Sequence, residues 1–497
     1  MKWLGNEQEV IILGSDLGGL VAGTLLSKNN HSVLLVREKG YQSSCLTRGY
    51  RFVPFSSLSE KSLKPGLVRR ISQALSLSLL MGTREDGKQA RAAPDRLKQQ
   101  RASFQVILPR ARIDVFRERS QLQKEWRREF PEEALRIEGF YNELDRVHHL
   151  LQEVSGKKKG SVFFPFRRRG LIAKMFPFHR LPNEGVDKTL SLFSREFREF
   201  VQLQLISRGN FYSDRFPLSL ATQILFDGAN ESNSDYDSER LEKEILNQFL
   251  RSGGRIEEID RVKEVTLGWR KGFTLTSEGS PAVFRSRFFI INCPLRHISS
   301  SLGKKGKGVL KWQKKIKSSF MLIPLFLGID EKAVPVGMSD LLVSISDLGK
   351  PYDGANLLFL SLSLKGDKTM APAGKRALTV EGLMDVGQWG LTDPAEYKQR
   401  VMDHLYSLFP FLEQYIDFVD FQWARDHVSR WSYSHFLYES ASDFDWREGI
   451  VPTKMSKKIY FVGKENFPYL GLGGEIFSGM TAAQHILKQS SRNPVLP

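Results

Sequence analysis

The chain has 497 residues, of which 26% are charged, and its formal net charge is +17. This length can bury large cores and predicts two or three domains. The excess of Lys and Arg favours an anionic partner surface, either a membrane or a nucleic acid. Cys45 and Cys293 are the only cysteines, which excludes a disulfide framework and a four-cysteine metal site.

The first predicted unit is a strand, a glycine-rich turn, a helix and a second strand. Residues 10–13 form an apolar run suited to a buried parallel strand, apolar residues recur at helical spacing over 17–26, and residues 33–36 form the second strand. In a dinucleotide-binding unit of this kind, glycines make the turn, admit the pyrophosphate and let the helix pack on the strand. The helix N-terminus then faces the phosphates.

The turn of this unit has the sequence Gly14-Ser15-Asp16-Leu17-Gly18-Gly19. Asp16 stands where the middle glycine of the motif is expected. The acid that usually closes the second strand and holds the ribose hydroxyls is replaced by Arg37, with Glu38 one residue later. An α/β domain whose turn binds nothing is the alternative interpretation.

The middle of the chain begins with a predicted charged helix over residues 120–149, and a basic and aromatic segment follows from Lys157 to Arg180. Clustered cations among Phe, Leu and Met suit an interfacial contact, with the cations at anionic headgroups and the rings in the acyl boundary. We predict a peripheral contact with an anionic membrane surface. The alternative is a charged surface loop whose phenylalanines pack on the domain. Nucleic acid is not expected, because no recognised binding module accompanies the charge.

Two later segments have the same strand and glycine character as the first unit. Residues 239–294 predict a helix ending at Gly253-Gly254, followed by strands that close with a buried strand. The third segment predicts a strand ending at Gly463, a glycine-rich loop, and a helix that starts near Glu475 or Ile476. Three separated segments can therefore contribute to one sheet.

In these three segments the chain resembles the flavin-binding domain of the phytoene desaturase branch of the FAD-dependent amine oxidase superfamily. The third segment carries that family's closing motif at the same spacing, with the residues Gly463, Pro468, Gly471, Gly474, Ser478 and Gly479. The resemblance implies an α/β fold with a Rossmann-like FAD-binding domain assembled from residues 1–80, 236–300 and 451–490. It also implies an α+β substrate domain, with an antiparallel sheet and a helical membrane-facing part, from residues 104–235 and 301–450.

The resemblance also implies which residues contact FAD. The diphosphate would lie at Gly14, Ser15, Asp16, Leu17, Gly18 and Gly19. The ribose would lie near Arg37 and Glu38, and the adenine at the backbone of Val262. The flavin and its ribityl chain would lie near Ser44, Gly463, Lys464, Gly471 and Gly474. No catalytic side chain and no metal ligand is predicted; the nine histidines show no ligand spacing, and His297 is interpreted as a surface or satisfied core residue.

The departures from the family pattern cluster on the cofactor side. Besides Asp16 and Arg37, Ser43-Ser44 replace a glycine pair, and Lys464 replaces the aspartate that follows the glycine of the third segment. Asp16 beside a diphosphate is a like-charge contact that costs about 1 kcal/mol or more when partly desolvated, unless a cation compensates it. Arg37 and Lys464 are the two candidate cations.

The function implied by the family is FAD-dependent removal of hydride from a hydrophobic, isoprenoid or lipid-like substrate at a membrane surface. The alternative is a flavin-free, non-catalytic member of the fold that acts as a lipid or protein binding factor. Arg37 is also the residue type that reads a 2′-phosphate, but NADP is ranked below FAD because the C-terminal glycine loop has no role in a plain NADP domain. The expected location is cytoplasmic, with a peripheral position at the inner face of the membrane as an option.

Overall fold

The structure is a computed structural model. The residues that it describes are 7–39, 44–53, 71–77, 104–116, 118–156, 185–209, 211–213, 216–226, 238–268, 272–278, 283–298, 301, 312, 316–388, 391–431, 436–440 and 449–490. The basic and aromatic segment and Ser43 lie outside the described residues.

The strands are numbered along the chain. They are β1 (Glu7–Leu13), β2 (Val33–Glu38), β3 (Cys45–Thr47), β4 (Tyr50–Phe52), β5 (Phe104–Ile107), β6 (Arg112–Val115), β7 (Phe211–Tyr212), β8 (Arg255–Ile259), β9 (Val262–Gly268), β10 (Gly272–Ser277), β11 (Val283–Ile291), β12 (Ile316–Asp330), β13 (Leu341–Ile345), β14 (Leu357–Leu362), β15 (Lys375–Asp385), β16 (Ile416–Asp420), β17 (Phe436–Ser440) and β18 (Ile459–Phe461).

The helices are numbered in the same way. They are α1 (Leu17–Lys28), α2 (Arg119–Glu129), α3 (Ala134–Gly156), α4 (Val186–Leu190), α5 (Arg195–Gly209), α6 (Leu218–Phe226), α7 (Ser238–Arg251), α8 (Leu295–Ile298), α9 (Pro394–Leu408), α10 (Gln422–Trp431) and α11 (Gly471–Gln489). Short 3-10 turns cover Pro131–Glu133, Glu331–Ala333, Leu412–Tyr415 and Pro468–Leu470.

The first sheet has the strand order β8-β2-β1-β11-β10-β9, and β18 pairs with β11. The neighbours β8, β2, β1, β11 and β18 run parallel, whereas β9 and β10 are antiparallel. The interior strands are continuous apolar runs because both faces of a parallel sheet are covered. One apolar cluster joins this sheet to α1, α7 and α11. The carboxyl ends of β1, β2, β11 and β18 meet at one edge, where open α/β sheets bind ligands.

The second sheet has the strand order β6-β5-β13-β14-β15-β12-β17-β7, and β16 pairs with β12. Its centre is antiparallel, and its pairs β5–β13 and β17–β7 are parallel. The long strand β12 pairs along one side with β15 and along the other with β17 and then β16. The hairpin β3–β4 packs on this sheet through the stacked rings of Phe52 and Phe326. Residues 45–52 thus contact the second sheet, although they belong to the first segment of the chain.

Two helix boundaries differ from the sequence prediction. The predicted helix over 120–149 is two helices, α2 and α3, separated at Phe130 and Pro131. Proline lacks an amide hydrogen and its ring clashes with the preceding turn, so a helix cannot continue through it. The last helix, α11, starts at Gly471 instead of Glu475 or Ile476. Its first turn therefore consists largely of the glycines that were predicted to form a loop.

Candidate functional site

The turn between β1 and α1 requires glycine at position 14. Gly14 has φ of +109°, and a Cβ built on it would lie 2.1 Å from the backbone oxygen of Asn292. Its amide donates to the carbonyl of Val36 at 2.8 Å. The left-handed backbone and the close neighbour each favour glycine. Packing within the sheet therefore explains this glycine without a ligand.

The helices α1 and α11 cross in backbone contact near their N-termini. A Cβ on Gly18 would lie 3.0 Å from the carbonyl oxygen of Glu475 and 3.4 Å from the amide nitrogen of Gly463. A Cβ on Gly479 would lie 2.2 Å from the carbonyl oxygen of Gly18. The first and third glycine-rich segments therefore meet, and the N-termini of both helices approach one edge of the sheet. Such N-termini favour anions.

Asn292 links the ends of three parallel strands, a role that the sequence analysis missed. Its backbone amide donates to Leu13 at the end of β1 at 2.7 Å, and its side-chain amide donates to Val462 after β18 at 3.1 Å. A Cβ on Gly19 would lie 2.2 Å from its side-chain oxygen. The sequence feature that could have identified Asn292 is its position directly after a buried strand, where polar side chains reach the edge of the sheet.

Glu38 and Val262, which are predicted to bind the ribose and the adenine, are in direct contact. The Val262 amide donates to Oε1 of Glu38 at 3.0 Å, and Nε2 of His297 lies 3.3 Å from the same oxygen. Burial pushes the pKa of Glu38 upward, but the bonds from His297 and Val262 outweigh burial, and the pKa lies below its ordinary value. His297 therefore belongs to the site, although no pattern in the sequence distinguishes it from an ordinary surface or core histidine.

Arg37 is directed away from the turn. Its Nε and Nη2 atoms lie 2.9 Å and 2.5 Å from Oε1 of Glu258 on the neighbouring strand β8, and both side chains are more than 40% exposed. An exposed pair of this kind contributes about 0 to 1 kcal/mol to stability. Arg37, one of the two cations predicted to compensate Asp16, is thus paired with Glu258 instead.

Asp16 directly precedes α1 and faces Lys464. Its backbone is extended, and its side chain accepts no hydrogen bond from the first turn of the helix. Burial raises the pKa of Asp16, and the positive charge of Lys464 partly offsets this rise. The two departures from the family pattern therefore interact with each other across the first and third segments.

Several carboxylates lie at the carboxyl edge of the first sheet, a region that we call the crevice: Asp16, Glu38, Glu465 and Glu475. Glu465 is buried and accepts the Leu295 amide at 3.1 Å, and burial raises its pKa to about 7. Burial is also the first cause that raises the pKa of Cys293 and of Tyr438, and nearby carboxylates add to it in both cases. Tyr438 lies on β17, so the second sheet reaches this crevice.

The remaining predicted residues occupy varied environments. Gly463 follows β18 with φ of +138° and donates its amide to Oγ of Ser478 at 3.1 Å. Gly471 has φ of +52°, and a Cβ on Gly474 would lie 2.3 Å from the carbonyl oxygen of Phe467. Leu17 is buried in the apolar cluster under α1. Ser15 and Ser44 are half-buried.

The residues of the crevice fit the adenosine and diphosphate parts of FAD, with one opposing group. A backbone amide suited to adenine and a carboxylate suited to ribose lie within one hydrogen bond of each other. Two helix N-termini and Lys464 supply positive potential for a diphosphate. Asp16 is the group that opposes it. Within the described ranges, no group of three or more His, Cys, Asp or Glu side chains is arranged to hold a metal ion.

Solved structures with the same fold include two oxidases. A redesigned putrescine oxidase superposes with a TM-score of 0.58 at 13% identity, covering 97% of this chain and 99% of that one. Cyclohexylamine oxidase from Brevibacterium oxydans superposes with a TM-score of 0.56 at 16% identity, covering 98% of this chain and 100% of that one. At these identities the likeness establishes the α/β fold with its mixed sheets.

Sequence relatives extend over nearly the whole chain. Chloroplastic prolycopene isomerase of Arabidopsis thaliana is 22% identical over 515 residues, which is 96% of this chain and 82% of the relative. The Daucus carota protein of the same name is 22% identical over 525 residues, which is 99% of this chain and 82% of the relative. The family model for flavin containing amine oxidoreductase matches residues 22–487.

These comparisons confirm three predictions at the level of the family: the resemblance itself, FAD as the cofactor, and an enzyme as opposed to a binding factor. They indicate an oxidoreductase or an isomerase, whereas the sequence prediction was an oxidoreductase. The contact of each predicted cofactor residue with FAD stays a prediction. The chain belongs to the flavin-containing amine oxidoreductase family.

Proposed function

We propose that the protein is an FAD-dependent enzyme that transfers hydride from a hydrophobic, isoprenoid or lipid-like substrate at a membrane surface. The main support for FAD as the cofactor is the hydrogen bond between Glu38 and the Val262 amide. The N-termini of α1 and α11 meet at the same edge of the sheet. This arrangement brings the adenosine-binding groups next to the two helix N-termini that suit a diphosphate.

The residues of this chain divide the binding of FAD among three segments. In the free protein the Val262 amide donates to the Glu38 carboxylate. On FAD binding this bond would be exchanged for contacts of the amide with adenine and of the carboxylate with ribose, while His297 holds the carboxylate in position. Lys464 supplies the cation at the diphosphate. When bound, FAD supplies the hydride acceptor, and the protein supplies orientation and a dry pocket.

The hydrophobic substrate is supported by the names of the sequence relatives. Prolycopene is the molecule in the relatives' printed names. The buried Tyr438 brings the second sheet close to the carboxylates of the crevice.

The membrane contact is supported by the sequence. The formal net charge is +17, and the basic and aromatic segment has the composition of an interfacial contact. Among the helices that the structure describes, none is long and apolar enough to cross a membrane. We therefore propose a peripheral contact through residues 157–180, with cations at anionic headgroups.

The test of the proposed function uses purified full-length protein. We expect flavin absorption that persists through gel filtration, and FAD-dependent conversion of a carotenoid such as prolycopene supplied in liposomes, followed by chromatography and visible absorption. A protein that retains FAD but leaves the carotenoid unchanged would refute the substrate class. A colourless protein that ignores added FAD would refute the enzyme and favour the flavin-free binding factor, since Glu38 and Val262 already satisfy each other.

A further inference from the structure

We propose that Asp16 and Lys464 form an internal charge pair that sets the affinity of the crevice for FAD, in which Asp16 weakens binding and Lys464 offsets it. This inference rests on the proposed function, because it concerns the same cofactor. It assigns the FAD affinity to two positions whose side chains both depart from the family pattern.

The first observation is that Asp16 does not serve α1 as a capping residue. The first bond of the helix runs from the Leu20 amide to the backbone carbonyl of Asp16 at 3.1 Å. The side chain of Asp16 accepts no hydrogen bond from the first turn. A capping aspartate typically stabilises a helix by about 1 kcal/mol through such a bond. Here the carboxyl group lies at the helix N-terminus without that bond.

The second observation is the position of Lys464. It follows Gly463, whose amide nitrogen would lie 3.4 Å from a Cβ on Gly18 in the first turn of α1. The loop that carries Lys464 is therefore fixed against the helix that Asp16 precedes. The charge of Lys464 acts on the carboxylate of Asp16, whereas Arg37 is paired with Glu258.

The other ionisable groups around Asp16 do not supply a cation. Burial raises the pKa of the Cys293 thiol and of the Tyr438 phenol, and the negative charge of Asp16 raises both further. Both side chains are therefore neutral at pH 7. Glu465 acts on the same two groups and adds further negative charge when it is ionised. In the described part of the crevice, Lys464 is thus the positive side chain that acts on Asp16.

The consequence is a competition between two anions for one region of positive potential. The N-terminus of α1 and Lys464 attract a diphosphate, but Asp16 directly precedes that N-terminus and interacts electrostatically with Lys464. A bound diphosphate adds negative charge beside this carboxylate, and Coulomb repulsion at short range in a partly desolvated site costs about 1 kcal/mol or more. Neutralising Asp16 should therefore tighten FAD binding, and removing Lys464 should weaken it.

The test measures the equilibrium dissociation constant of FAD at pH 7 for the flavin-free full-length protein, by quenching of flavin fluorescence. Asp16→Asn preserves the shape of the side chain and removes its charge, and we expect about tenfold tighter binding. Lys464→Gln should weaken binding about tenfold. In the double variant, Lys464→Gln should weaken binding at least as much as it does in the wild type, because Lys464 attracts the diphosphate whether or not position 16 carries a charge.

A matched control is Glu278→Gln, which removes an exposed carboxylate that directly follows β10 of the same sheet. It should change the FAD dissociation constant less than twofold. Thermal unfolding without FAD should show Asp16→Asn folded at least as stably as the wild type, because it removes a desolvated charge.

The outcomes separate this inference from the proposed function. If the wild type binds FAD and Asp16→Asn binds it equally or more weakly, the inference is wrong and the cofactor assignment stands. If Asp16→Asn binds FAD and the wild type does not, the inference is supported in its strongest form. If neither protein binds FAD, Asp16 does not control the affinity, and both the inference and the cofactor part of the proposed function are wrong.

Discussion

The Glu38 carboxylate accepts a hydrogen bond from the Val262 amide at 3.0 Å, although 224 positions separate the two residues in the chain. This contact joins the end of β2 to the start of β9. It also joins two groups that the family resemblance assigns to the same nucleoside. The cofactor crevice is therefore assembled by the tertiary structure from segments that are far apart in the sequence.

Replacing Glu38 should alter both stability and its pH dependence. A carboxyl group whose pKa is lowered on folding stabilises the protein above its unfolded pKa, and this contribution is lost as pH falls through the folded pKa. The wild type should therefore lose more unfolding free energy than Glu38→Gln between pH 6 and pH 3, as measured by urea denaturation. Glu413→Gln, at an exposed residue, should show the same dependence of unfolding free energy on pH as the wild type. If Glu38→Gln also showed the wild-type dependence, the Glu38 carboxylate would not be stabilised by its hydrogen bonds in the folded protein.

Glu465 should have the opposite pH dependence. Burial raises its pKa to about 7, so the folded protein binds a proton that the unfolded chain releases near pH 4 to 5. Its destabilising effect is absent below that range and grows as pH rises toward 7. Glu465→Gln should therefore be more stable than the wild type at pH 8, by up to about 3 kcal/mol, and similar at pH 4. A variant that is less stable at both pH values would refute an ionised, desolvated Glu465.

The crossing of α1 and α11 should not tolerate a side chain at Gly479. A Cβ there would lie 2.2 Å from the carbonyl oxygen of Gly18, so Gly479→Ala should reduce the free energy of unfolding by about 2 kcal/mol or more. Gly139→Ala is the matched control, because a Cβ at this position in α3 meets no atom within 4 Å. That control should gain about 0.5 to 1 kcal/mol from higher helix propensity. Chemical denaturation of both variants decides the comparison.

The basic and aromatic segment should govern binding to anionic vesicles. Replacing Arg167, Arg168 and Arg169 with glutamate should abolish sedimentation with vesicles that contain anionic lipid, since each cation near such a surface contributes about 1 kcal/mol. A control variant carries three charge reversals on the exposed residues Arg110, Lys332 and Lys368. It should retain most of the binding. Unchanged binding of the Arg167 to Arg169 variant would show that this segment is not the contact.

The fold was largely predictable because its signals are local. The apolar runs at residues 10–13 and 33–36 lie in the parallel strands β1 and β2, and the strand at 459–461 joins the same sheet. The start of α11 was predicted too late, because glycines that usually mark a loop form its first turn against α1 and Phe467. Close helix packing outweighed the low helix propensity of glycine there.

The sequence by itself determined the family, the three cofactor segments and the list of charges that depart from the family pattern. The tertiary structure alone decided which of those charges meet. Arg37 and Glu38 are neighbours on one strand, so their side chains point to opposite faces, and the pairing of β2 with β8 directs Arg37 to Glu258 and Glu38 to Val262. Lys464 reaches Asp16 because α11 packs on α1. The sequence does not show the register of β2 against β8 or the crossing of α1 with α11. These two features of the tertiary structure determine which charges interact in the crevice.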